Sequence, residues 1–215
     1  MITSTQVVHL ENREQKGRRQ FSPTTARNRG PISDALLAFI DRDAHILEIA
    51  SGSGEHAVHM CAQRQDIKWQ TSDINLSARH SQDDWRRDCP AQIAPSLPLD
   101  VTAPEWWGGL GMYNGVFCAN MIHIAPWAAC QGLAQGAGHI IKDDGKVYLY
   151  GPFLEGEMTA ASNLQFDETL KNRNPEWGVR SLASVKHIFA DFGFNLLARI
   201  EMPRENRLLV FSRTI

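Results

Sequence analysis

The sequence predicts a three-layer α/β domain, in which a mainly parallel, Rossmann-like sheet lies between two layers of helices. The first observation is an alternation of short apolar segments with helical patterns, which is typical of βαβ units and a parallel sheet. The second is a pair of strand-like segments, 194–201 and 207–213, joined by a short turn. The third is a glycine-containing turn that follows the first strand of the alternation. The predicted sheet is therefore parallel and ends in a C-terminal antiparallel hairpin.

Each element follows from its local pattern, in chain order. Residues 1–20 are polar and weakly periodic, so we expect a solvated or partly ordered arm, with a single domain over 21–215. Ser22 and Pro23 predict a helix N-cap and first helical position, and Gly30-Pro31 predicts that a helix restarts there. Ser181 predicts the cap of the last helix. The parallel strands are predicted at 45–49, 67–72, 96–100, 113–119 and 146–150, and the helices between them at 55–63, 77–86 and 126–140.

Composition limits the classes of function. A chain of 215 residues suffices for one sizeable core, and a net charge of −2 gives no general attraction to nucleic acid or an anionic membrane. Four cysteines without a C-x-x-C pair predict no metal site. No apolar run has the length of a membrane span, and the first residues lack a secretory pattern, so we expect a cytoplasmic protein. The oligomeric state stays open.

The turn after the first strand has the composition of a ligand site. Gly52 and Gly54 lack a Cβ atom, so a ligand can approach the backbone closely. The helix that follows presents unpaired N–H groups and a partial positive charge at its start. Gly52, Gly54 and Ala57 also satisfy the relaxed dinucleotide pattern, and a tight turn without a ligand shares this composition. Ligand binding at this turn and a purely structural turn therefore both stay open.

Polar residues follow the other predicted strands, at the edge where open parallel sheets bind ligands. Asp73 lies 19 residues beyond Gly54, a separation that suits a carboxylate for ribose hydroxyls, although a helix cap is the alternative. Asn120 ends the fourth strand and can both donate and accept hydrogen bonds. His123 is a candidate general base, or else a ring that packs against Trp127.

A long polar segment follows the fifth strand. Long segments in compact domains tend to be lids or binding loops, so we predict a lid over a small acceptor, with a plain surface loop as the alternative. The residues predicted to line it are Phe153, Asn163, Phe166, Asp167, Trp177 and Arg180.

A set of motifs in series resembles one family, from about Phe21 to the C-terminal end. They include SP at 22–23, RNR at 27–29, EIASG at 48–52, SD at 72–73, LDVT at 99–102, CANM at 118–121, HIAPW at 123–127, YGPF at 150–153, SN at 162–163, FD at 166–167, WGVR at 177–180 and MP at 202–203. The sequence is similar to a family of class I S-adenosylmethionine (SAM)-dependent methyltransferase-like proteins of unknown function, the one that includes methyltransferase-like protein twenty-six.

The resemblance implies a SAM-dependent methyltransferase fold and supplies no substrate. A small-molecule acceptor is expected because the sequence has no evident basic face or recognition module. The resemblance places Arg27 and Asn28 near the methionine carboxylate, Asp73 on the ribose, and Asp100 with Val101 at the adenine. The full expected cofactor set is Arg27, Asn28, Glu48, Ala50, Ser51, Gly52, Gly54, His56, Asp73, Asp100, Val101 and Asn120. The expected catalytic residues are His123 and Asn120. Ala50 occupies the first glycine position of the general class I pattern, and Ala26 and Gly30 stand where the family usually has acidic residues.

Overall fold

The structure, a computed structural model, describes residues 11–213. Its strands and helices alternate along most of the chain. In order they are β1 (Glu14–Lys16), β2 (Arg19–Phe21), α1 (Pro23–Leu36), β3 (His45–Ile49), α2 (Glu55–Gln63), β4 (Lys68–Ser72), α3 (Leu76–Trp85), β5 (Ile93–Leu97), β6 (Tyr113–Ala119), α4 (Trp127–Ile140), β7 (Ile141–Pro152), α5 (Ala161–Arg173), α6 (Leu182–Asp191), β8 (Phe194–Met202) and β9 (Asn206–Arg213).

Seven strands form one sheet in the order β5-β4-β3-β6-β7-β9-β8. The pairs from β5 to β7 are parallel, whereas β9 lies antiparallel between β7 and β8. The predicted parallel sheet with an antiparallel C-terminal hairpin is therefore confirmed. The chain order reverses between β3 and β6, which is where open parallel sheets form a ligand crevice. Because β8 points in the same direction as β7, the turn from β8 to β9 lies at this edge too.

Helices cover both faces of the sheet, as the three-layer prediction requires. On one face, α1 and α2 bury Ile32, Leu36 and Met60 against the strands. On the other face, α4 and α6 bury Leu133 and Phe189. Burial of apolar surface of this kind stabilises the fold by about 25 cal/mol per Å². The two packed layers fix the carboxyl ends of the central strands, where the predicted site residues lie.

The first helix begins as predicted but does not restart. Ser22 accepts a hydrogen bond from the Thr25 amide (3.0 Å), so the N-cap is confirmed. The predicted break at Gly30-Pro31 is wrong, because α1 continues through Pro31. A proline inside a helix removes one backbone hydrogen bond, at a cost of about 3 kcal/mol. The fully buried Ile32 that follows anchors the helix on the sheet and offsets this cost.

Two strands differ from the predicted bounds by more than one residue. The edge strand β5 ends at Leu97, whereas it was predicted at 96–100. Pro98 has no N–H to donate, so the ladder stops where Leu97 accepts from the Asp73 amide (3.0 Å). Asp100 consequently lies in a turn beyond the strand. Strand β7 starts five residues earlier than predicted, directly after α4, and runs to Pro152.

Two polar segments are more ordered than the sequence predicts. The segment between β7 and α6 contains the helix α5, whose buried positions are Asn163, Asp167 and Leu170. These positions have helical spacing, but two of the three are polar, so hydrophobic periodicity does not reveal them. Residues 14–20 of the predicted arm form the hairpin β1–β2 together with Phe21, while residues 1–10 lie outside the described part of the chain.

Candidate cofactor and acceptor site

The turn between β3 and α2 has an unusual backbone that its neighbours hold in place. Ala50 (φ 55°), Gly52 (φ 56°) and Gly54 (φ 92°) all lie in the left-handed region. A Cβ atom on Gly54 would lie 2.9 Å from Cα of Gln82, so only glycine fits there. The Ser51 amide donates to the Ser72 carbonyl (2.8 Å), which ties the turn to β4. Left-handed residues other than glycine cost about 1–3 kcal/mol and concentrate at functional sites.

Asp73 lies against this turn. Its Oδ2 accepts a hydrogen bond from the Gly52 amide (3.0 Å) and its Oδ1 accepts from the Asn75 amide (2.9 Å). The side chain is buried, and burial raises its pKa while these hydrogen bonds lower it. Each carboxylate oxygen has further acceptor capacity. The structure thus brings Asp73 and Gly52 together. The alternative, an exposed helix cap, is wrong, because Asp73 is buried and Asn75 is the N-cap of α3.

Glu48 and His56 are buried beside the turn. The Trp69 indole donates to Glu48 Oε2 (2.9 Å), and burial raises the pKa of Glu48 to about 8. His56 lies edge-on to Phe117, with ring centroids 5.8 Å apart. Burial lowers its pKa to about 3, and its Nδ1 has no hydrogen-bond partner within residues 11–213. At neutral pH both side chains are therefore uncharged.

Asp100 and Val101 have hydrogen-bond and packing partners outside the turn after β3. Asp100 Oδ1 accepts from the Thr102 amide (2.9 Å) and from its hydroxyl (2.6 Å), so the carboxylate stabilises its own turn. Val101 is buried in the core beside α4. A recess of about 520 Å³ opens next to it, where Trp107 stacks on His139. This recess shares only Val101 with the residues predicted for the cofactor.

Asn120 and His123 meet at Gly151. Asn120 (φ 60°) directly follows β6, and its backbone amide donates to the Tyr150 carbonyl (2.8 Å). A Cβ atom on Gly151 would lie 2.3 Å from Nε2 of His123 and 3.3 Å from Oδ1 of Asn120, so the glycine makes room for both. The aromatic neighbour of His123 is Phe153, at 5.5 Å between ring centroids.

The imidazole of His123 is fully enclosed. Its side chain is 1% exposed, and neither ring nitrogen has a hydrogen-bond partner in the described chain. Burial, together with the positive charge of the nearby Arg180, lowers its pKa to about 3. An unpaired buried polar group is costly, so such groups are typically found where a ligand or a water completes them.

The structure separates Arg27 from Asn28. Arg27 is exposed and donates to the hydroxyl of Thr24 (3.0 Å). Asn28 is buried, its Oδ1 is without a partner among residues 11–213, and its amide lies against the Tyr150 hydroxyl. The neighbouring Arg29 pairs with the buried Glu55 (3.5 Å).

The residues predicted for a lid form a small folded unit instead of an open loop. Asp167 accepts from the Val179 amide (2.9 Å) and pairs with Lys171 (2.5 Å). Trp177 and Phe166 pack around Leu170, and Asn163 donates to the Glu205 carbonyl (3.0 Å).

Arg180 connects this unit to the loop that carries His123. It donates to the carbonyls of Ile122 (2.8 Å) and Ala125 (2.6 Å), and Trp127 lies beneath its guanidinium (5.8 Å). Phe153 is buried next to His123. Most of the six predicted residues therefore hold the segment together.

Three residues at this edge were missed by the sequence analysis. Arg13 of the N-terminal segment lies over Gly52, with Nη2 3.2 Å from the position of a Cβ atom there. No sequence signal marks it, because the segment is uniformly polar. Tyr150 lies within the buried part of β7, beside Asn28. Arg204 (φ 61°) lies in the strained turn between β8 and β9, where the Met202-Pro203 motif was the available signal.

The described residues contain neither a membrane-spanning helix nor a metal-binding group of side chains. Over residues 11–213, helices are too short or too polar to cross a bilayer. In the same part of the chain, no three histidine, cysteine, aspartate or glutamate side chains are grouped so as to hold a metal ion.

Comparison with known proteins gives a family and a fold. Residues 19–213 match the family model described as "Protein of unknown function (DUF938)". The structure is similar to an O-methyltransferase family protein from Burkholderia thailandensis, with a TM-score of 0.76 at 13% identity over 88% of this chain and 57% of that one.

Two further methyltransferases are similar as well. CalO1, a methyltransferase in calicheamicin biosynthesis solved with S-adenosylhomocysteine (SAH) bound, gives a TM-score of 0.74 at 10% identity, over 89% of this chain and 54% of CalO1. The mitomycin 7-O-methyltransferase MmcR gives 0.74 at 13% identity with the same coverage. The chain spans little more than half the length of these structures. At such identities the likeness establishes a class I methyltransferase-like fold.

Proposed function

This chain belongs to the DUF938 family, and we propose that it is a SAM-dependent methyltransferase that acts on a small-molecule acceptor. The observation that carries the proposal is the left-handed turn at Ala50, Gly52 and Gly54, whose Gly52 amide donates a hydrogen bond to the Asp73 carboxylate. This turn follows β3, beside the point where the strand order reverses. We also propose kinship with methyltransferase-like protein twenty-six, on the motifs that the sequences share.

The residues present fit the cofactor. The amino-acid portion is proposed to lie over residues 50–54, near Arg27 and Asn28, and the ribose hydroxyls to bind Asp73. The adenine is proposed to lie by Asp100 and Val101. Orphaned polar atoms support this placement, because Oδ1 of Asn28 and Nδ1 of His56 are buried without partners in residues 11–213. Glu48 and Ser51 support the turn from beneath through their hydrogen bonds to β4.

SAM supplies an activated methyl group on a sulfonium centre when it is bound. The task of the chain is then to align the acceptor, to exclude water and to accept a proton where one is released. Alignment of this kind contributes about 7–11 kcal/mol to lowering a barrier. We place the acceptor at the ends of β6 and β7, because the side chains of Asn120 and His123 meet at Gly151 there.

His123 is the candidate base and Asn120 the candidate orienting group. The imidazole is neutral at neutral pH, so a ring nitrogen is free to accept a proton. With its pKa near 3 it is a weak base in this environment. Its role therefore depends on an acceptor that supplies the missing hydrogen bond and stabilises the charged ring.

The small-molecule acceptor is supported by charge and by the structural neighbours. The net charge of −2 favours no polyanion. The similar proteins MmcR and CalO1 are a mitomycin 7-O-methyltransferase and a methyltransferase of calicheamicin biosynthesis. Two other functions compete with methyl transfer: a nicotinamide-dependent oxidoreductase, which shares the glycine turn, and a SAM-binding module without catalysis. The strand order with β9 between β7 and β8 favours the methyltransferase over the oxidoreductase.

The experiment that tests the proposal combines a melting comparison with a transfer screen. We expect SAM and SAH, but not NADH, to raise the melting temperature. Labelled SAM incubated with a metabolite extract should yield a labelled product only when the protein is present. Stabilisation by SAH without any product would favour the binding module, and stabilisation by NADH alone would favour the oxidoreductase.

A further inference from the structure

The N-terminal hairpin is built against the proposed cofactor turn. Arg19 pairs with Asp84 (3.1 Å) and Asp88 (2.7 Å) and stacks on Trp85, 4.4 Å from its ring centroid. The Gln20 amide donates to Ser81 Oγ (2.8 Å). These contacts fix β2 on α3, the helix that also packs against Gly54.

The same hydrogen-bond network continues into the turn. Ser81 Oγ, which accepts from Gln20, donates to the Ser53 carbonyl (2.7 Å). The Gln82 side chain donates to the Gly52 carbonyl (3.1 Å). The position of the hairpin is therefore tied to the position of the turn through two hydrogen-bonded links.

Arg13 extends from this hairpin over the turn. A Cβ atom on Gly52 would lie 3.2 Å from Nη2, 3.6 Å from Nη1 and 3.7 Å from Cζ of Arg13. Burial raises the pKa of Asp73, and the positive charge of the Arg13 guanidinium opposes that rise, in keeping with its position over the turn. The Arg13 side chain is only 19% exposed.

Within residues 11–213, the Arg13 guanidinium makes hydrogen bonds through Nε and Nη1 but not through Nη2. Nη1 donates to Gln20 Oε1 (3.1 Å), and Nε makes a long contact with Glu11 Oε1 (3.4 Å). Nη2, the atom nearest the turn, makes no hydrogen bond within the described chain. Glu11 is engaged elsewhere, because it accepts from the Thr24 amide (2.9 Å) and from the Ser22 hydroxyl at the start of α1.

We propose that Arg13 binds the α-carboxylate of SAM and that residues 11–21 form a strap that holds the cofactor against the turn. The inference rests on the proposed function. The α-carboxylate is the one anionic group of SAM, and a guanidinium with a free donor edge is suited to a carboxylate. This gives the carboxylate a partner other than Arg27, which is exposed and bonded to Thr24.

The experiment measures the affinity for two nucleosides by calorimetry. SAH carries the carboxylate, whereas 5′-methylthioadenosine has the same adenosine and thioether but no amino-acid portion. Arg13→Ala should weaken SAH binding by about ten- to hundredfold and leave 5′-methylthioadenosine within twofold. Arg13→Lys should give an intermediate loss for SAH, because it keeps the charge but not the fork.

A matched control exists on the same hairpin. Arg18→Ala removes the same charge from an exposed position and should leave both affinities unchanged. Far-ultraviolet circular dichroism and melting check that each variant folds.

Several results would overturn the inference. They are equal losses for both nucleosides, an unchanged or tighter SAH affinity in Arg13→Ala, or a loss selective for SAH in Arg27→Ala but not in Arg13→Ala. Failure of the proposed function is distinct, since the wild-type protein would then bind neither nucleoside.

Discussion

The His123 side chain is closely surrounded by protein, but its hydrogen-bonding groups are not satisfied within the described part of the chain. Its ring occupies the space that Gly151 leaves free, yet both nitrogens lack partners in residues 11–213. A purely structural ring of this size normally finds at least one hydrogen bond when buried. We therefore interpret the unsatisfied imidazole as the part of the site that the acceptor completes.

Replacing this ring separates transfer from cofactor binding. We expect His123→Asn to lower the rate of methyl transfer about a hundredfold, the order that a positioned base contributes, and to leave the affinity for SAH unchanged. Because the pKa of His123 is about 3, the wild-type rate should show no inflection near pH 6.5 from this group. Rates are measured with the acceptor found in the screen. The exposed His187→Asn serves as the control, and equal rates in His123→Asn and wild type would reduce the ring to packing.

At the scale of elements, Arg180 joins the unit around α5 to the loop that carries His123. Arg180→Ala leaves the carbonyls of Ile122, Ala125 and Glu176 without their donor. Hydrogen bonds from a charged group are worth about 1.5–3 kcal/mol, so we expect a loss of that order in the free energy of unfolding. Urea denaturation measures it, with the exposed Arg173→Ala as control. Faster hydrogen exchange confined to 121–125 and 161–180 should accompany the loss, and unchanged exchange there would contradict the account.

The sequence predicts those elements best whose apolar residues repeat at regular spacing. Strands β3 and β6 and the helix α2 have the predicted bounds, because apolar runs and the glycine turn delimit them. The helix α5 was missed because two of its three buried positions are Asn163 and Asp167. The hairpin β1–β2 was missed because its contacts are ion pairs and hydrogen bonds to α3 and to the turn that follows α3, 57–69 residues further along the chain.

The location of some predicted site residues follows from the sequence pattern, whereas the bonding of others does not. Asp73 lies at the turn as its spacing predicts, since the end of a parallel strand fixes the location of the next residue. Asn120 and His123 also lie together. The bonding of Arg27 and Asp100 was not predictable, because a local partner, Thr24 or Thr102, takes up each side chain. Arg13 was beyond prediction, since its position depends on the whole hairpin.

At the scale of the whole molecule, three buried groups predict how stability depends on pH. The pKa values of His56 and His123 fall from 6.5 to about 3 on folding, so their contribution is full above pH 6.5 and is lost as the pH falls. The pKa of Glu48 rises from 4.5 to about 8, so its contribution is lost as the pH rises between those values. Between pH 4.5 and 6.5 both effects act together. The two histidines favour folding as the pH rises and Glu48 alone disfavours it, so stability still rises with pH in this range. A maximum is therefore expected near pH 6.5.

Melting temperatures between pH 4.5 and 8.5 check this prediction. Above the maximum, stability should decline by at most about 1.4 kcal/mol per pH unit, the value for one proton. Glu48→Gln keeps an acceptor for the Trp69 indole, and we expect it to remove the loss of stability above pH 6.5. A wild-type stability that rises steadily to pH 8 and matches that of Glu48→Gln would contradict the assignment.

The account as a whole depends on an adenosyl ligand held at the turn by Asp73. The most direct measurement is a calorimetric titration of the wild-type protein and of Asp73→Asn with SAH. Asparagine keeps one acceptor oxygen but loses the charge, so we predict saturable binding to the wild type and an affinity at least about tenfold weaker in the variant. The exposed Asp143→Asn should bind as the wild type does. No binding of SAH to the wild type, or equal affinities in the wild type and Asp73→Asn, would contradict the central claim.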